Sequence, residues 1–115
     1  MALTIKKDDT YTWPCSVDIP VDGGKYIKQT FTCKFKRAKQ TENEKFQMML
    51  KNEELKNARL IAEKVLVGWE GIQDEDGNEI LFTDVTSKQI LDAPMIAIAI
   101  ASSYFESLGG ARRKN

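Results

Sequence analysis

The stretch that decides the fold is TWPCSVDIPVDGGKYIKQTFTCKFK, which runs from Thr12 to Lys36. On both sides of a central turn signal, apolar residues take odd-numbered positions and polar residues take most of the even-numbered ones. This alternation predicts two half-buried β-strands. The odd-numbered apolar residues are Trp13, Cys15, Val17 and Ile19 before the turn, and Ile27, Phe31, Cys33 and Phe35 after it.

The turn between these strands must keep both apolar sets on one face. A two-residue loop would pair odd-numbered residues with even-numbered ones and would bury the wrong face. A three-residue loop, Asp22–Gly24, pairs odd with odd and places a glycine in the left-handed conformation. The sequence therefore predicts a hairpin over about residues 11–36. In this register Cys15 lies opposite Phe31, and Cys33 is a close neighbour of Cys15 on the buried face without forming a disulfide.

The second half of the chain has helical periodicity. Thr41 with Glu44 three residues later predicts a capping box at the start of a first helix. A second helix is predicted to begin near Asn52 and to end at Gly68 and Gly71. Its apolar stripe consists of Leu55, Ala58, Ala62, Val65, Leu66 and Trp69.

Two further helices are predicted near the end of the chain. Thr83 or Thr86 caps a short one, and Pro94 occupies the first position of the last one. The last helix, Met95 to Leu108, is apolar on nearly every side, so it lies at the centre of a core or is buried by a partner. Gly109 and Gly110 end it.

Together these elements predict an α+β fold with an N-terminal β-hairpin packed on three or four α-helices. Residues 1–110 are expected to form a single small domain, and residues 111–115 a flexible basic tail. The residues expected to be at least partly buried are Trp13, Phe31, Phe35, Val65, Trp69, Ile98, Ile100 and Phe105.

The residue types argue against an enzyme and against a cofactor or metal site. The chain has no histidine, which removes Ser-His-Asp and Cys-His catalysis and the commonest metal ligand. Two separated cysteines cannot hold a structural zinc without histidine partners, and no phosphate-binding glycine motif occurs. The acids at Asp74–Glu79 lack the spacing of a calcium-binding EF-hand and indicate a solvated turn.

Charge is balanced overall but unevenly placed. The formal net charge is 0, yet residues 1–40 carry 8 Lys/Arg against 4 Asp/Glu, and residues 41–111 carry 6 against 13. Such a dipolar chain can bind a complementary partner or itself, so a homo-oligomer is expected. Interfaces are predicted at Met95, Ile96, Tyr104 or the exposed hairpin edge. Further candidate partner-binding residues are Trp69, Arg112, Arg113 and Lys114.

Nucleic acid and membranes are not expected partners. The zero net charge disfavours nucleic acid. The lysines of the second strand are consistent with phosphate binding or with a solvent face that protects a sheet edge. The longest apolar run, Pro94–Ala101, is shorter than the ~20 residues of a membrane span. The N-terminus lacks the apolar region of a secretory signal, which favours a cytoplasmic location with reduced thiols.

Two blocks of residues resemble the tail assembly chaperones of long-tailed bacteriophages and prophages. The first block consists of Trp13, Pro14, Pro20, Asp22 and Gly23. The second consists of Trp69, Gly71, Ile72, Asp74, Gly77, Phe82 and Thr83. The resemblance covers most of the chain, and residues 38–60 carry the least of it. Cys15 stands where valine is common in that family.

This resemblance implies a non-catalytic protein. It implies that the chain coats a tape measure protein, keeps that protein soluble and recruits tail tube subunits. It also implies action in the cytoplasm of the bacterial host, absence from the finished virion, and a longer form made by ribosomal frameshifting. Two alternatives stay open: a structural tail tube or connector subunit that remains in the particle, and a small nucleic-acid-binding regulator.

Overall fold

Three antiparallel strands and four helices make up the computed structural model, which describes residues 2–3 and 9–109. The strands are β1 Thr10–Val21, β2 Lys25–Lys36 and β3 Leu66–Glu70, in the order β1-β2-β3. The helices are α1 Gln40–Asn52, α2 Glu54–Val65, α3 Asp84–Leu91 and α4 Pro94–Ser107. The predicted α+β fold with its N-terminal hairpin is confirmed. Gly110 and the predicted tail, residues 111–115, lie outside the described residues.

The hairpin has the predicted register. Val21 pairs with Lys25 across a three-residue loop, and Cys15 pairs with Phe31. Gly23 and Gly24 have φ angles of 87° and 72°, a region that residues with a side chain rarely adopt. The glycine-containing turn and the alternation of apolar residues therefore specify the same register, which is the register that the sequence predicts.

The hairpin reaches beyond the helices. Each of its strands has 12 residues and spans about 40 Å, whereas α4, with 14 residues, spans about 21 Å. The helices therefore cover only the part of the hairpin far from its turn. Ile27, predicted on the buried face, is 50 % exposed, and Val21 is 39 % exposed. Ile27 lies opposite Ile19 on the predicted face, but half of its surface stays exposed near the turn, so the expectation that this whole face is buried is corrected.

Two helix predictions are also corrected. Helix α1 begins at Gln40, and no side chain within the described residues caps it, so the capping box predicted at Thr41 is wrong. Helix α2 ends at Val65, and the stripe predicted to continue to Trp69 instead enters β3. Strand pairing explains the second error, because β3 gains backbone hydrogen bonds from β2 that a longer helix could not make.

The starts of the last two helices agree with the sequence. Thr83 and Thr86 act together: the Thr86 N–H donates to Thr83 Oγ1 at 3.0 Å, and the Thr83 N–H donates to Thr86 Oγ1 at 2.8 Å. Pro94 starts α4 as predicted. Of the eight residues expected to be buried, Trp13, Phe31 and Ile98 are partly buried and the other five are buried, so that prediction is confirmed.

Helix α4 lies at the centre of the core. It packs against α2 and β1, and its inner face carries the buried residues Ala97, Ile100, Ala101 and Tyr104. The Tyr104 hydroxyl donates to Asn43 Oδ1 of α1 at 2.5 Å, and its ring meets the Phe35 ring edge-on at 5.4 Å. The last helix, which the sequence shows to be apolar on nearly every side, therefore packs in the core through the face that carries Ala97, Ile100, Ala101 and Tyr104.

Candidate protein-docking surface

An open groove of about 570 Å³ lies between β1 and α4. Its apolar lining comes from Trp13 and Val17 on the strand and from Met95, Ile98 and Ala99 on the helix. Asp18 and Glu106 add a negative charge at its margin. We call this feature the β1/α4 groove. Its apolar floor and acidic margin suit a protein segment with one apolar face and basic residues beside it.

Helical periodicity explains why α4 lines the groove. Met95, Ile98, Ala99 and Ser102 follow the i, i+3, i+4, i+7 spacing and share one stripe, which the groove exposes. The core-facing stripe lies beside it and includes Ala97 and Ala101, whose small side chains leave room for close packing. The helix is apolar on both stripes because one meets the core and the other meets the groove.

Two predicted partner-binding residues lie at accessible places on α4. Met95 lines the β1/α4 groove and is 39 % exposed. Ile96 is partly buried and lines a separate cavity of about 110 Å³ together with Ile19 and Ile90. Met95 and Ile96 therefore lie on different surfaces, as expected for adjacent residues of a helix.

Two other predicted partner-binding residues belong to the core. Trp69 is 8 % exposed, its indole N–H donates to the Ile80 carbonyl at 2.7 Å, and its ring meets Phe82 edge-on at 4.9 Å. Tyr104 is fully buried. Neither side chain is open to a partner in this fold, and a partner-binding role for Trp69 or Tyr104 stays a prediction. Arg112, Arg113 and Lys114 lie outside the described residues.

Burial raises the pKa of the Tyr104 hydroxyl, and the nearby Tyr11 adds to the rise. A raised folded-state pKa gives stability that is fully present below the unfolded value of about 10 and is lost as pH rises through the folded value. We expect the difference in unfolding free energy between the parent chain and Tyr104→Phe to shrink above about pH 10. Urea denaturation of both chains at several alkaline pH values measures it, and a constant difference would contradict the assignment.

The cysteines are buried neighbours, as predicted. Both thiols are free. A hydrogen bond to Cys15, together with burial, raises the pKa of the Cys33 thiol. A buried thiol of this kind stays protonated and is a poor nucleophile or metal ligand.

The acidic segment is a hydrogen-bonded turn. Asp74 Oδ1 accepts the backbone N–H groups of Asp76 and Asn78, both at 2.9 Å. The bond from Asn78 is the main reason that the pKa of Asp74 lies below its usual value. Within residues 2–3 and 9–109, no cluster of three or more Cys, Asp or Glu side chains is placed to bind a metal ion. No helix in that part of the chain is long and apolar enough to span a membrane.

A family model described as YdaY prophage protein matches residues 26–106, more than half of the chain. The chain belongs to this family. No match was found among curated proteins or among solved structures. In this YdaY family member the match covers β3, α1, α2 and α3 in full and all but one residue each of β2 and α4, whereas β1 precedes it.

Membership of the YdaY prophage protein family supports the coarser part of the resemblance described above. The chain is a prophage protein, and the family description states nothing finer about its role. The groove-lining roles of Trp13, Val17 and Ile98 were not anticipated from sequence. One signal was available, because the i, i+3, i+4 spacing of Met95, Ile98 and Ala99 marks a second apolar stripe on α4.

Proposed function

We propose that this YdaY family member is a non-catalytic assembly chaperone for a prophage tail, which binds the tape measure protein and recruits tail tube subunits. The proposal takes its biological content from the resemblance of the Trp13–Gly23 and Trp69–Thr83 blocks to tail assembly chaperones. Family membership supports a prophage setting. The observation that carries the proposal on this molecule is the β1/α4 groove.

The lining of the groove fits an amphipathic helix. Such a helix presents apolar residues along one stripe. Met95, Ile98 and Trp13 offer an apolar surface to such a stripe. Asp18 and Glu106 offer partners to Lys or Arg at the edge of the same helix. A tape measure protein, which is long and helical, would present many segments of this kind.

We expect Met95→Gln to weaken binding of the tape measure protein by about tenfold, because glutamine matches methionine in length but loses the apolar contribution of the side chain. Helix α1 offers a matched control in Met48, which is 67 % exposed and lies away from the groove. Met48→Gln should leave binding unchanged. Binding is measured by titrating each chain against a helical fragment of the tape measure protein from the same prophage.

Co-expression gives the functional readout. The parent chain and Met48→Gln should keep the tape measure protein soluble, and Met95→Gln should do so less well. Failure of the parent chain to bind or solubilise that protein would sink the proposal. Detection of the chain in purified virions would instead favour a structural tail component.

A further inference from the structure

We infer that two copies of this chain associate through the open edge of β3 and form a twofold-symmetric dimer with a sheet that continues across both copies. The inference concerns a second copy of the chain and does not depend on the helical partner proposed above. It rests on the difference between the two edges of the sheet and on the placement of charge beside β3.

The two edges of the sheet are built differently. Strand β1 carries Pro14 and Pro20, which both have even numbers and therefore present their nitrogen atoms to the same side. Because a proline lacks an N–H, it is tolerated where the strand faces away from the ladder, and it blunts that edge against a further strand. The predicted interface at the hairpin edge is therefore disfavoured at β1.

Strand β3 has an unprotected edge. Its sequence, LVGWE, contains no proline and no lysine. Apart from the ladder to β2 and the Leu66 N–H, which donates to the Ala62 carbonyl, the described residues make no backbone hydrogen bond to β3. The ladder is irregular near Val67, so Gly68–Glu70 is the regular part of the edge. Its outward backbone groups are free to pair with another strand.

A groove of about 350 Å³ accompanies this edge, and its lining combines apolar residues with Glu63, Asp84, Ser87 and Lys88. Leu66 and Val67 line it from the strand, and Phe82 and Leu91 line it from the opposite side. Val67 is 38 % exposed, and the nearby Leu81 and Val85 are 68 % and 66 % exposed. A strand added beside β3 would cover apolar surface as well as pair backbone groups.

Opposite charges on two segments of this chain favour a second copy as the partner that pairs with the β3 edge. Residues 65–87 contain six acids and no Lys or Arg, whereas residues 25–39 contain six Lys or Arg and no acid. Among residues 2–3 and 9–109, the ion pairs are Arg37–Asp9, Arg59–Glu63 and Arg59–Asp92. None of these involves an acid at 74–79, and within the basic segment they engage Arg37 alone, so the acids and the lysines of the two segments keep their capacity for a partner.

The strand directions bring these charges together in a twofold dimer. Because β3 is antiparallel to β2, the chain leaves Glu70 toward the hairpin turn, and Gly71 packs against Phe31 on the way. A twofold axis beside β3 sets the partner strand antiparallel. The acids at 74–79 of each copy then extend toward the start of the partner's β3. That end of the sheet also carries Lys36 and Lys64. The contact is self-complementary, which is the requirement for a closed dimer.

A charge-exchange experiment tests the inference. We expect the parent chain to dimerise in sedimentation velocity, and Glu75→Lys with Glu79→Lys to weaken the dimer at least tenfold, or about 1.4 kcal/mol. Adding Lys36→Glu and Lys64→Glu to that variant should restore it. Glu44→Lys with Glu53→Lys makes the same change in net charge on and next to α1, and it should leave association unchanged.

Amide hydrogen exchange locates the contact. Exchange at residues 66–70 should slow as protein concentration rises, because a partner strand protects the outward amides. A parent chain that stays monomeric at its highest soluble concentration would overturn the inference. A dimer whose β3 amides exchange at the same rate at all concentrations, or a charge exchange without restoration, would overturn it as well.

Discussion

Replacing Phe46 with alanine is expected to lower the free energy of unfolding by about 3–5 kcal/mol. Phe46 is 1 % exposed, and its ring meets the Tyr104 ring edge-on at 6.5 Å. The substitution removes apolar burial and leaves a cavity between α1 and α4 that the surrounding side chains fill only in part. Urea denaturation measures the loss as a lower midpoint with an unchanged slope.

Met48 is the matched control for this substitution. It lies two residues away on the opposite face of α1 and is 67 % exposed. Met48→Ala should change the unfolding free energy by less than about 0.5 kcal/mol. Equal losses for both variants at one protein concentration would mean that α1 does not present Phe46 to the core.

Replacing Trp69 with alanine is expected to be similarly destabilising, by about 3–5 kcal/mol. Trp69 holds the segment after β3 in place through its hydrogen bond to the Ile80 carbonyl and its contact with Phe82. Trp69→Phe keeps part of the packing but leaves the carbonyl without its donor, so a smaller loss of about 1–3 kcal/mol is expected. Both values come from chemical denaturation.

Hydrogen exchange and a neighbouring variant complete this test. Amides of residues 72–80 should exchange faster in Trp69→Ala. These residues form a chain reversal, and the substitution removes the hydrogen bond from the Trp69 indole to the Ile80 carbonyl that holds it in place. Leu81→Ala is the control, measured at a protein concentration at which the chain is monomeric, since Leu81 adjoins Ile80 in sequence and is 68 % exposed. It should leave both stability and exchange nearly unchanged. A stable Trp69→Ala with slow exchange would show that other contacts hold this segment.

Helix α4 has one buried stripe and one stripe open to the groove, and only the open stripe is accessible to a partner. Tyr104 and Met95 lie on one helix, and both were candidates for a partner-binding role. The fold places Tyr104 among aromatic rings of the core and Met95 in the β1/α4 groove. Sequence periodicity separates the two stripes, but it does not say which of them meets the core.

By itself, the sequence determined the strand register and the helix starts, which depend on residues close to one another along the chain. The alternation around Asp22–Gly24 sets the strand register, because a one-residue shift would turn every side chain to the other face. The start of α4 follows from Pro94, whose fixed φ angle suits the first helical position. Thr83 and Thr86 mark the start of α3 through hydrogen bonds that span three residues.

Only the tertiary structure decided the features that depend on distant residues. Leu66 and Trp69 continue the apolar spacing of α2, yet they form a strand because β2 offers them a backbone ladder. The open groove and the open sheet edge also arise this way, since the groove lies where α4 packs against β1 and the edge lies where the sheet ends at β3. Local patterns set which conformation each segment prefers, and long-range pairing decides which surfaces remain uncovered.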